Sequence, residues 1–166
     1  MAYRNKTYIA FDGDNDMHYY RLMTAWAENE KLSLNFHNAH DLNTARDSSQ
    51  EASIKAQLRE RFENSKLFIV LIGEKTKLLT KFVKWEIETA IRLDLPIIGV
   101  NLNGSRSKDE MCPTAMRDTL AVYVPFKEKV VSHAAVHWPA DHEKYRKDGK
   151  SGAFHYNDAY YKGLGL

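Results

Sequence analysis

Leu67-Phe68-Ile69-Val70-Leu71-Ile72-Gly73 is the stretch on which the fold turns. Six apolar residues follow one another without a polar break and stop at a glycine. A strand with one wet face alternates; a strand covered on both faces, as at the centre of a parallel sheet, does not. A second apolar run, Pro96 to Leu102, follows, and Thr80 to Ile91 lies between the two. A helix placed there packs one face on the sheet. At about 100° per residue from Val83, the side chains of Ile87, Ala90 and Ile91 fall on one side. Glu86 lies on the shoulder of that stripe, and Trp85 points nearly opposite.

Outward from this centre, strands and helices alternate. Thr7 to Phe11 reads as a first strand, stopped by Asp12-Gly13-Asp14. Residues 16 to 29 read as a helix with Tyr19, Leu22, Met23, Trp26 and Ala27 on one face, and Leu32 to Phe36 as a short second strand. His37 to Ser49 is a long polar loop, and a helix runs from Ser49 to about Asn64 with Ile54, Leu58, Arg61 and Phe62 inward. Ala121 to Pro125 is the last strand; ending at a proline, it is expected at an edge. Residues 127 to 147 look partly helical, and the tail from Asp148 reads as irregular. The pattern predicts one three-layer, doubly wound, flavodoxin-like α/β domain over residues 1–166, with a five-stranded parallel sheet in the order 2-1-3-4-5. Its core spans about residues 6–126 and its C-terminal extension residues 127–166. Ligands in such folds sit beyond the carboxyl ends of the strands, here between the loops Phe11 to Asp16 and Gly73 to Thr80.

Composition narrows the class without naming an activity. At 43% hydrophobic and 28% charged residues, the chain reads as an ordinary globular protein. No apolar run reaches membrane-spanning length, the first residues lack a signal-peptide core, and a cytoplasmic location is expected. The single cysteine, Cys112, excludes an internal disulfide and a cysteine metal cluster. A formal net charge of +2 with mixed signs gives no basic stripe, so neither nucleic acid nor membrane is an expected partner.

Several clusters could carry chemistry. Asp12-Gly13-Asp14-Asn15-Asp16 places three carboxylates after strand one; it suits a hard cation or, with Lys75 and Thr76, a metal-dependent phosphohydrolase using Asp12 and Asp14, and equally a solvated turn that caps the next helix. Asp41 to Asp47 sits in a long loop able to close over a ligand, with Arg46 facing phosphates or paired with Asp47. The seven histidines show no His-Glu-x-x-His pattern, and no metal is expected. Gly-x-Ser-x-Gly, Gly-x-Gly-x-x-Gly and phosphate-loop patterns are lacking. Phe82 and Trp85, off the core stripe, leave aromatic surface for a partner, a ligand or a covering segment of this chain.

The run Phe68 to Gly73, then Thr76, then Phe82-Val83-Lys84-Trp85-Glu86-Ile87, then Pro96 to Val100, resembles TIR-like domains, closest to the TIR-like protein of the bacterial Thoeris anti-phage system. Tyr8 to Asp12 and the loop Asp41 to Asp47 fit the same branch, and the resemblance covers roughly residues 6 to 126. It implies a flavodoxin-like fold and an enzyme that consumes NAD as substrate, with no other cofactor. Catalytic members hydrolyse the nicotinamide–ribose bond, acting as NADases, and some join the ADP-ribose into a cyclic signal. The family's catalytic Glu lies in a Trp-x-x-x-Glu pattern, which maps Glu86 to the catalytic position and puts Phe82 where the family has Trp. By the same analogy Phe11, Asp12, Arg46, Asp47, Thr76 and Phe82 bind the nucleotide, while Trp85 serves an interface. Expected partners are NAD, a second copy of the chain, and a downstream effector that senses the nucleotide product. Many TIR domains are instead non-enzymatic signalling and assembly modules, and that reading stays open beside the enzymatic one.

Overall fold

The computed structural model describes residues 6–29, the backbone of 35–37, and residues 51–166. Six parallel strands form one sheet: β1 (Lys6–Ala10), β2 (Asn35–His37), β3 (Ser65–Ile72), β4 (Ile97–Asn101), β5 (Ala121–Pro125) and β6 (Ala153–His155), in the spatial order β2-β1-β3-β4-β5-β6. The expected order 2-1-3-4-5 is present, with one strand more than the five expected. Among the described residues the helices are α1 (Met17–Glu28), α2 (Glu51–Glu63), α3 (Val83–Arg92), α4 (Glu128–Lys147) and α5 (Asp158–Gly163). Short 3₁₀ turns cover Thr76–Leu78 and Thr114–Met116. Of the chain between α1 and α2, only the β2 backbone is described; the Asp41–Asp47 loop, with Arg46 and Asp47, lies outside the described residues.

β3 is the buried centre its sequence implies. Phe68, Val70 and Ile72 point into one layer with Ile54, Leu58 and Phe62 of α2 and Val83, Ile87 and Ala90 of α3. Leu67, Ile69 and Leu71 point into the other, with Met23 of α1 and Val130, Val131, Ala134 and Trp138 of α4. Alternation therefore fills both cores from one strand, and each such side chain contributes about 1.5–3 kcal/mol on burial. β1 divides the same way: Tyr8 and Ala10 face α2 and α3, whereas Ile9 and Phe11 face α1 and α4. Gly99 of β4 stands beside Tyr123 of β5 in register, and a Cβ there would come within 2.8 Å of the Tyr123 ring.

The C-terminal segment departs from expectation. Residues 128–147 form one unbroken helix despite Pro139, because its apolar face is covered by the sheet and packing outweighs the missing hydrogen bond. The tail forms β6 and α5, which places β5 inside the sheet rather than at its edge. Pro125 is tolerated because β6 pairs only with Ala121 to Tyr123, leaving the proline beyond the new ladder. α5 is capped by Asn157, whose side chain accepts a hydrogen bond from the Tyr160 N–H at 2.9 Å, and it buries Tyr161. No helix among the described residues is long and apolar enough to cross a membrane.

Candidate active site around Glu86

Glu86 lies in the first turn of α3, where its backbone N–H donates to the Phe82 carbonyl at 2.8 Å. Its side chain is 0% exposed. A carboxylate so placed is favoured by the partial positive charge of the helix N-terminus, which offsets part of the desolvation cost. Across the core stands Tyr8 of β1, also fully buried and stacked on Phe62 with ring centroids 3.9 Å apart. Burial first, and then the Glu86 carboxylate, hold the Tyr8 phenol well above its ordinary pKa; the Arg61 guanidinium opposes them. Sequence reading passed over Tyr8. The available signal was a hydroxyl at an inward position of an apolar strand, on the face that α3 covers.

Phe82 precedes Glu86 by one turn and belongs to the same core cluster, so it is buried where the helical wheel leaves it exposed. Trp85 is half-buried: the edge of Phe62 meets it at 6.0 Å, and the Lys55 and Arg59 cations sit 5.6 Å from its ring centroid. For Trp85 the reason is plain. A wheel treats α3 as packed on a flat sheet, but α2 lies alongside and covers its flank. The segment covering Trp85 is thus α2, and with Phe82 buried the exposed aromatic surface expected at this helix is not formed.

The remaining described candidates stand just beyond the carboxyl ends of β1 and β3. The Thr76 hydroxyl accepts from the Gly73 N–H at 2.9 Å and donates to the Leu71 carbonyl at 3.3 Å, which shapes the turn leading to α3. Asp12 is buried at the end of β1. Its Oδ1 accepts from the N–H groups of Asp14 and Asn15 at 3.0 and 3.3 Å, and its Oδ2 from the Asn15 amide at 2.6 Å. Both oxygens are thus engaged by the turn itself, ahead of α1. Among the described residues no group of three His, Cys, Asp or Glu side chains is arranged to hold a metal. Phe11 stacks on Tyr20 of α1 at 4.7 Å, on the face of the sheet opposite Glu86.

A cavity of about 340 Å³ opens beyond the carboxyl ends of β1, β3 and β4, beside the two loops expected to flank the crevice. Asn15, Asp16, His18 and Tyr19 line it from α1 and the loop before it, Gly73, Glu74 and Lys75 from the turn after β3, and Leu102, Asn103 and Met111 from the segment after β4. A second cavity, about 280 Å³, lies between the start of α3 and the Thr114–Met116 turn, lined by Thr76, Leu79, Val83, Ile87 and Pro113. Glu86 lines neither.

No curated protein matches the chain. The family described as Thoeris protein ThsB, TIR-like domain, matches residues 8–107, more than half of the chain. That segment holds β1 through β4 and α3 with its buried Glu86. The chain belongs to the Thoeris ThsB TIR-like domain family.

Proposed function

We propose that this protein acts in anti-phage defence as an enzyme that consumes NAD, with Glu86 as the essential carboxylate. Family membership supports the defence role. The observation that carries the chemistry is a wholly buried carboxylate in the first turn of α3, which the resemblance maps to the family's catalytic Glu. In the proposed reaction the bond between ribose C1′ and the nicotinamide nitrogen breaks, and its electron pair leaves on nicotinamide. The departing group is neutral and needs no general acid. Positive charge develops on the ribose, and the Glu86 carboxylate stabilises it, as carboxylates do in glycoside cleavage. In a water-poor site that stabilisation is the largest contribution. Water captures C1′ and gives up a proton to yield ADP-ribose, or a nucleophile of the ADP-ribose itself closes a ring. A separate effector would then sense the product.

The burial of Glu86 has a kinetic corollary. With no solvent path to the carboxylate, a neighbouring segment must move before NAD reaches it, which supports activation by assembly or by infection. Purified protein at high concentration, incubated with NAD with and without lysate from infected cells, should release nicotinamide and an ADP-ribose product visible by mass spectrometry. Glu86→Gln should abolish that release with the fold intact by circular dichroism. Turnover by Glu86→Gln at the parent rate overturns the assignment.

A further inference from the structure

α4 carries a histidine pair that the Glu86 chemistry does not use. His133 and His137 stand one helical turn apart, so both side chains project from the same face. That spacing is the one in which a helix offers two imidazoles to a single metal ion. The rings already lie together, with centroids 4.3 Å apart and planes at 38° to each other. An ion bound about 2.0–2.1 Å from one nitrogen of each ring, at a cis angle of about 90–110°, would place the centroids about 4.5–5 Å apart. The observed separation lies just short of that range, and a small rotation of the exposed His137 side chain makes up the difference.

The C-terminal segment holds one of the two rings. Tyr156, between β6 and α5, meets His133 edge-on at 5.2 Å, and the Tyr160 ring of α5 lies 4.7 Å from it. His133 is thereby half-buried, whereas His137 reaches solvent. Burial first, and then His137, lower the His133 pKa and favour the neutral imidazole that ligates metal; Asp141 opposes them. Asp141 follows one turn further along α4, and its charge acts on both His133 and Tyr156, so a cation at the pair is drawn by it. Two imidazoles are fewer than the three protein ligands of a catalytic zinc, and water completes the coordination. Imidazole favours borderline d-block ions over magnesium and calcium, which take oxygen ligands. We propose that His133 and His137 form a chelating site for a divalent cation of the zinc, nickel or copper class, on the helix that covers the sheet face opposite Glu86. The ion clips together two turns of α4 just ahead of Pro139, where the helix lacks a backbone hydrogen bond.

Zinc ion alone is the first probe, with magnesium ion as the oxygen-seeking control. Calorimetric titration of the full chain with zinc should show saturable binding that His137→Ala weakens by about tenfold or more, since one of the two ligands is gone. His137 is exposed, so this substitution leaves the core untouched. His155→Ala removes an exposed histidine outside the pair and should bind zinc as the parent does. Copper ion, paramagnetic and of the same class, should broaden the amide resonances of residues 132–138 and of Tyr160. Equal zinc affinity of the parent and His137→Ala, equal affinity of the parent for zinc and magnesium, or copper broadening that spares residues 132–138 overturns the proposal.

Discussion

A single buried carboxyl, that of Asp16, acts on stability through its protonation. The folded-state pKa of Asp16 is raised, so between the unfolded and folded values the native chain holds more protons than the unfolded one. Stability contributed by this group is therefore present below about pH 4 and is lost as pH rises through the carboxylate range. At neutral pH the ionised carboxyl, close to Asp12 and Glu74, is a cost. Asp16→Asn should accordingly raise Tm at pH 7 and lose that advantage near pH 4, as followed by calorimetry at the two pH values. An unchanged Tm at pH 7 would place Asp16 in an unstrained surface environment. Sequence alone could not distinguish this residue from an ordinary helix cap, because capping and packing against Gly73 differ only in which way one side chain turns. Glu86 was more legible, since helical spacing put it on the shoulder of a buried stripe, and its full burial comes from neighbours the spacing does not include.

Elements that announce themselves by period were readable, and those too short to have one were not. β3 and β4 carry uninterrupted apolar runs, and α3 shows its stripe at Val83, Ile87 and Ala90. β6 has three residues, Ala153–His155, entered through Gly152 at φ +90°, and three residues cannot display an alternation. α5 has six, less than two turns, and its one sequence cue is the Asn157 cap. Both are held by contacts distant in sequence: Phe154 pairs with Val122 of β5, and the Arg106 guanidinium lies 4.2 Å from the Tyr161 ring centroid. The loss of Tyr161 from this packing should therefore be felt by the domain core. Tyr161→Ala should destabilise the fold by about 3–5 kcal/mol, the range for a buried aromatic, measured as a shift in the urea midpoint. A change below about 1 kcal/mol would mean that α5 docks without stabilising the sheet.

Across the whole molecule, the buried phenols define the alkaline limit. Burial is the first cause of the raised pKa at Tyr8, Tyr123, Tyr156 and Tyr161, and it pushes Tyr161 to about 12. In the unfolded chain these groups ionise near pH 10, so above that value the unfolded state holds fewer protons and stability falls as pH rises. Tm should decline steadily beyond about pH 10, and the tyrosinate absorbance of the buried phenols should appear together with unfolding. Ionisation of all nine tyrosines before any loss of structure would contradict the packing described. The sixth strand has a different consequence for the molecule. Hydrogen-bonded to β5 on one side, β6 offers only three residues of unpaired backbone on the other, and an incoming strand would gain few bonds from so short a template. Growth of the sheet from one copy into the next is therefore poorly supported at this edge, and copies that meet here must recognise each other through side chains.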